Sequence, residues 1–262
     1  MSVAHKNAAG AEGNPAKHTD PDDTPSARKQ KTKLIVSKRI MNLDYYKRLH
    51  EGHLFWLNAI RLSHDHILRH YDKEVLALRA KQFFCLGMSI GNILLIDDLN
   101  QALYACLLLL NEFEYYFHTA APAQAMKLLY ARDGTYFPQS LSIYEKTEPA
   151  TVQLNKFGKK VVLEFLKVPN NIDNLDYFEV FYSLCYSLAQ LYNKFSDLPV
   201  DERHHFDEFV TFDSKIKHHI ISKISTDMNE LARSVLHDQL ETMDNLFDDP
   251  GQGLCVMYEE NW

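Results

Sequence analysis

The sequence predicts an all-α protein, a helical bundle or irregular helical array with two buried central helices and a long C-terminal helix. Three observations predict it. Turn formers are scarce in the body of the chain: of 9 Gly and 9 Pro, Gly10, Gly13, Pro15, Pro21 and Pro25 all fall within the first 25 residues. Large apolar side chains recur at alternating steps of three and four, the spacing of one helix face. Residues 83–96 and 99–117 are apolar on nearly every side, and only neighbouring helices can cover such segments.

The elements follow in order. Residues 1–33 hold no large apolar side chain after Val3, cannot offset their ordering entropy, and are expected to be a disordered segment with a basic end formed by Arg28, Lys29, Lys31 and Lys33. A first helix is expected from Asn42 or Asp44, either of which can cap, to about Tyr71. Its seam reads Tyr46, His50, His53, Leu57, Ile60, His64, Ile67 and Tyr71, with three histidines where leucines are usual. A second helix starts near Asp72. Asp97 and Asp98 break the apolar run and cap a third, and Pro122 suits the first turn of a short fourth that ends near Arg132, before Asp133-Gly134.

Residues 134–171 lose the period, with Pro138, Pro149, Gly158 and Pro169 as punctuation. Residues 151–168 read either as a small β-hairpin about Gly158 or, over 161–167, as one more helix. Asp173 or Asn174 then caps a helix whose seam is aromatic: Phe178, Phe181, Cys185, Leu188, Tyr192 and Phe195. Pro199 begins a short helix through Val210. After Asp213, a good cap, neither Gly nor Pro occurs until Pro250, which allows a helix of about 35 residues. Its seam, Ile221, Ile224, Met228, Leu231 and Val235, shifts by one residue to Leu236, Leu240, Met243 and Phe247, implying a bend or two different partners along one helix. One helical domain thus spans 40–248, followed by a short flexible tail at 249–262.

A net charge of −7 is of the wrong sign for a dedicated nucleic-acid binder, although the basic run from Arg28 to Arg39 reads as a nuclear-import or anionic-surface signal or as a solvated flank. Cys85, Cys106, Cys185 and Cys255 are far apart, and the first three fall on apolar faces; free thiols of this kind fit a reducing compartment, hence the cytoplasm and also the nucleus. No apolar stretch follows Met1, so no secretory signal is expected. The most apolar run, 83–96, contains Ser89 and Asn92 and is shorter than the roughly 18–20 residues of a membrane span.

Thirteen histidines make metal chemistry the natural rival to packing. His66 and His70 form an i, i+4 pair, and His64-Asp65 resembles the ligand dipeptide of HD-type phosphohydrolases, which implies metal-dependent hydrolysis; further ligands of that family have no counterpart in the sequence. Glu202-Arg203-His204-His205 supplies one Glu-x-x-His of the kind that di-iron carboxylate bundles use twice, and no second copy occurs. His53 and His64, eleven residues apart on one helix, would stand about 16 Å apart along its axis. No serine or cysteine sits in a Gly-flanked elbow, and no phosphate-cradling glycine loop occurs.

With no complete catalytic constellation and a surplus of apolar seam, the expected function is that of a non-enzymatic intracellular adaptor or complex subunit. It would act through a coiled-coil-like face without a cofactor. The expected partner-binding residues are Leu236, Leu240, Met243 and Phe247, facing another protein or a second copy of the chain. The alternative is a metal-dependent helical enzyme using the His and acidic residues of the first helix or of 201–208.

Overall fold

The computed structural model describes residues 24–117, 154–157, 160–170, 172 and 174–248. The described chain is helical, with two small hairpins. The first helix, α1, spans Pro25–His50, much earlier than the cap at Asn42 or Asp44. Thr24 caps it, its hydroxyl accepting the Ala27 N–H at 3.2 Å, with Pro25 at the first helical position. Residues 25–33 are therefore ordered helix, in contrast to the disorder expected of them, while 1–23 lie outside the described residues. The buried face of α1 explains the difference. It carries Arg28, Thr32, Val36, Arg39, Leu43 and Tyr46, so its N-terminal half buries polar groups that a hydrophobic pattern does not register.

Gly52, at φ 76°, ends α1, and the N–H groups of Glu51, Gly52 and His53 donate back to the carbonyls of Lys47, Leu49 and Arg48. The seam expected to continue to Tyr71 instead breaks into a hairpin, β1 (Phe55–Trp56) against β2 (Ile60–Arg61), and a short helix α2 (His64–His70). Leu57 and Asn58 turn the hairpin at positive φ. α3 spans Lys73–Ile93 and α4 spans Leu99–Phe117, the latter started by the Asp98 carboxylate accepting the Gln101 N–H at 2.7 Å.

The expected fourth helix at Pro122 lies outside the described residues. Of the two alternatives the hairpin forms, β3 (Lys156–Phe157) pairing with β4 (Lys160–Val161), and 161–167 is not helical. α5 spans Tyr177–Lys194, capped by Asp176 rather than Asp173 or Asn174; the Asp176 Oδ1 accepts the N–H groups of Phe178 and Glu179. α6 (Arg203–Ile216), a π turn (Lys217–Ile221) and α7 (Ser222–Asp248) follow without a break, so Asp213 is interior to a helix and caps nothing.

The apolar stripe of α6 steps Phe209, Phe212, Ile216, and the π turn buries Ile220 and Ile221 side by side before the stripe of α7 goes on through Ile224, Met228, Leu231 and Val235. A π turn fits one more residue into the repeat, so both isoleucines reach the core.

α5 packs against both α1 and α3, and α4 packs on α6. α4 buries all of residues 105–110 together with Glu112 and Phe113, which leaves Gln101 and Tyr104 as its outward side. Aromatic contacts fill the centre, among them Phe181 with Phe83 and Tyr177, and Phe195 with Phe209 and Phe212. At the end of α3, the Lys194 ammonium donates to the carbonyls of Leu94 and Ile96.

Buried polar groups tie the N-terminal helix to the C-terminal one. Arg28 donates to the carbonyls of Val200 and Asp201, Arg39 grips Asp213 at 2.6 and 2.8 Å, and Tyr46 shares a hydrogen bond with Ser225. Trp56, just past α1, donates its indole N–H to Asn229 at 2.9 Å. α1 thus runs alongside α6 and α7 in the same direction.

A second buried carboxylate holds the strand-like segment. Glu112, fully buried on α4, accepts the successive N–H groups of Glu164, Phe165 and Leu166 at 2.7–3.0 Å, and Ser89 on α3 accepts that of Lys167. Burial raises the Glu112 carboxyl above its ordinary range against the lowering effect of those N–H groups. Glu112→Ala leaves three donors unmet, that of Leu166 fully buried and those of Glu164 and Phe165 partly so, and should cost about 2–3 kcal/mol in urea unfolding. Glu112→Gln keeps an acceptor oxygen and sheds the buried charge, so it should lose clearly less.

Candidate functional site

The core-facing stripe of α7 stops abruptly. Val235 is 6% exposed, yet Leu236, Leu240 and Met243 are 44%, 50% and 51% exposed, and every residue from 236 to 243 is an exposed one. A shift of one residue turns the stripe by about 100° round the helix, and the steps of four and three keep the three side chains on one face. The helix continues to Asp248 past the hairpin and α2 that it touches. It therefore leaves the body of the fold carrying apolar side chains into solvent. Phe247 occupies the next step of the same stripe; its side chain lies outside the described residues.

This extension is acidic. Residues 236–248 contain Asp238, Glu241, Asp244 and Asp248 and neither Lys nor Arg, and Glu241 pairs with His237 at 3.2 Å. The sequence marked the stripe through its one-residue shift. What it did not mark is the exposure of Leu34 and Met41 on α1, at 69% and 68%; the helix start expected at Asn42 or Asp44 left both outside a helix.

The π turn lines a cleft of about 450 Å³ with α3 and α4, where Arg79, Phe83, Phe113, His219, Lys223 and Asp227 meet. Its charges are largely matched within the fold. Arg79 forks onto Asp227, one bond at 2.9 Å, and lies 4.8 Å above the Tyr71 ring. Glu114 faces both Lys215 and His219, at 3.7 and 3.6 Å. Burial, then Arg79, lowers the Lys223 ammonium. Among the described residues, the cleft pairs acid with base.

The histidines of the expected seam separate. His50 is buried: its Nδ1–H donates to the Tyr46 carbonyl at 2.8 Å, its Nε2 faces the Tyr177 hydroxyl at 3.4 Å, and its ring lies 4.2 Å from that of Phe181. Burial, first of all, lowers it to about 4. His53 is exposed beside Glu51. His64 stacks on Phe178 at 4.0 Å and meets the Tyr182 hydroxyl at 3.0 Å. His66 caps α2, its Nδ1 accepting the Ser63 N–H while its own N–H donates to the Ser63 hydroxyl. Glu202 pairs with His204, two residues on, at the exposed start of α6. Among the described residues, no three His, Cys, Asp or Glu side chains converge as a metal-ligand set.

Cys85, Cys106 and Cys185 are free and buried, and burial pushes the Cys85 and Cys185 thiols up to about 11 and about 12. Such thiols are poor nucleophiles. Cys255 lies outside the described residues. No described helix is long and apolar enough to cross a membrane.

No family model, curated protein or solved structure matches the chain. The arrangement of its own residues is what bears on function, and the α7 extension is the feature that the fold does not use.

Proposed function

We propose that this chain is a non-enzymatic helical adaptor or complex subunit of the cytoplasm or nucleus, which binds protein through the α7 stripe of Leu236, Leu240, Met243 and Phe247. One observation carries the reading. Leu236 and Met243 are seven positions apart, and all the side chains on that stripe whose exposure is described stand half in water on a helix that runs on to Asp248. Apolar helix faces left in water cost solubility, and laying such a face against another helix is their common use. The matched charges of the cleft and the inert thiols support a binding role over a catalytic one.

Leu240→Asp with Met243→Asp should abolish capture of partners by the full chain, with a melting temperature within about 2 °C of the parent, since neither side chain supports the core. Affinity purification of both forms, compared by mass spectrometry, reads the first effect and thermal unfolding the second. An unchanged set of partners would refute the stripe as a contact. Unfolding of the variant would return these residues to the core.

A further inference from the structure

We infer that the outward face of α1 lies on an anionic phospholipid surface, Leu34 and Met41 entering the interface while lysines on both sides meet acidic headgroups. This surface is a different one from the α7 stripe and does not depend on it. α1 turns Gln30, Leu34, Ser37 and Met41 to solvent in steps of four, three and four, opposite the buried Arg28, Val36, Arg39 and Leu43. None of the four outward residues is charged, and Leu34 and Met41 are the most exposed large apolar residues of the helix. Exposed Lys33 and Lys38 stand about a quarter-turn to either side of that strip, and Lys29 and Lys31 stand on the same two sides one to two turns earlier. From Thr24 to Leu43 the chain has no Asp or Glu, although its net charge is −7.

The neighbouring helices leave this face basic. α5, which packs on α1, has no acidic residue from Val180 to Lys194, and its exposed side chains there include Ser183, Tyr186, Gln190 and Asn193. On α6, Asp207 is met by Arg203 at 3.7 Å, and Glu208 is half-buried. Asp44, the first acid of α1, pairs with Arg48 at 3.8 Å. The layout selects lipid over other anionic partners. A phosphate backbone is gripped by donors, and it would leave Leu34 and Met41, at the centre of the face, against charge. A protein groove would have to immobilise long lysine side chains around only two aliphatic anchors, and lysine is depleted in protein interfaces. A bilayer uses both halves of the pattern: aliphatic side chains enter the acyl boundary, and ammonium groups at the edges reach headgroups while staying mobile.

The full chain should co-sediment with phosphatidylcholine vesicles containing roughly one quarter phosphatidylserine at about 100 mM salt, and hardly at all with phosphatidylcholine alone. Raising the salt to about 500 mM should weaken binding by roughly tenfold. Lys33→Glu with Lys38→Glu should weaken it by at least about twentyfold, since each lysine near such a surface is worth about fivefold and reversal also repels. Leu34→Ser with Met41→Ser keeps every charge and should still weaken binding by about tenfold, a loss that charge attraction alone would not produce.

Equal binding to the two kinds of vesicle, or binding to neither, would overturn the inference, as would full binding by either α1 variant. Tight binding of the parent to duplex DNA that Leu34→Ser with Met41→Ser leaves unchanged, with no binding to vesicles, would assign the lysines to nucleic acid instead. Leu240→Asp with Met243→Asp should bind vesicles like the parent, and loss of binding there with the α1 variants unaffected would move the contact to α7. All four altered α1 positions lie on outward helix surface, and circular dichroism of each variant checks that the fold is retained. Should the charge-reversed form unfold, Lys33→Gln with Lys38→Gln should weaken vesicle binding by about tenfold, and unaltered binding by that variant also overturns the inference.

Discussion

Replacing Asp213 with Ala should destabilise the protein by about 3–5 kcal/mol, close to the whole stability of many domains of this size. The carboxylate is mostly buried and accepts three hydrogen bonds: Arg39 Nε and a second guanidinium nitrogen at 2.6 and 2.8 Å, and the Tyr192 hydroxyl at 2.9 Å. Removing it strands a guanidinium that cannot deprotonate, inside a junction of α1, α5 and α6. Asp213→Asn, which keeps an oxygen for the Arg39 fork, should cost less. Arg39→Met with Asp213→Leu should recover much of the loss, because removing both partners leaves no uncompensated charge. Urea unfolding of the three variants measures the series. Near-equal stability of Asp213→Ala and the parent would show that the pair is solvated.

The second large effect is set by pH and by His50. Its imidazole is held neutral at about 4, against an ordinary 6.5, chiefly because protonation would place a charge in a fully buried site between Tyr46, Tyr177 and Phe181. A lowered base stabilises the fold above the unfolded value, so nothing changes from pH 7.5 to 6.5. Below 6.5 the unfolded chain binds a proton that the folded chain resists, and stability falls with pH until about 4. The loss should be about 2 kcal/mol by pH 5, above most carboxylate titration. His50→Gln should be less stable at neutral pH, yet its unfolding free energy should vary much less between pH 6.5 and 5. Equal slopes for variant and parent would place the proton uptake on another group.

The fates of the histidines show what a sequence can and cannot display. Helices α3, α4, α5 and most of α7 were legible because their buried faces are apolar and spaced at three and four. The aspartate cap of α4 was legible for the same local reason. The first half of α1 was not, because Arg28, Thr32 and Arg39 occupy the inward positions, and the partners of the two arginines, Val200, Asp201 and Asp213, are remote in sequence. The seam from Tyr46 to Tyr71 kept helical spacing by coincidence across a hairpin. Gly52 was the visible stop signal, and its positive φ at the end of α1 is the property that should have outweighed the periodicity.

The join between α6 and α7 failed for a different reason. Asp213 is a good cap by residue type, but a carboxylate can equally meet a guanidinium, and only the fold brings Arg39 to it. For the candidate contact, the offset of Leu236, Leu240 and Met243 from the core stripe was written in the sequence. The exposure of Leu34 and Met41 became visible only once α1 was known to be a helix.

The clasp between α1 and the α6–α7 helix also fixes an order of events during synthesis. Its hydrogen bonds join residues 172 to 179 positions apart. A ribosome working at about 10 residues per second emits α1 roughly 17 s before Asp213 exists to receive Arg39. Throughout that interval Arg39 has yet to meet Asp213, and a charged inward position keeps that part of the emerging helix hydrated. A leucine-lined face in the same position would have been a sticky surface offered to every neighbouring nascent chain.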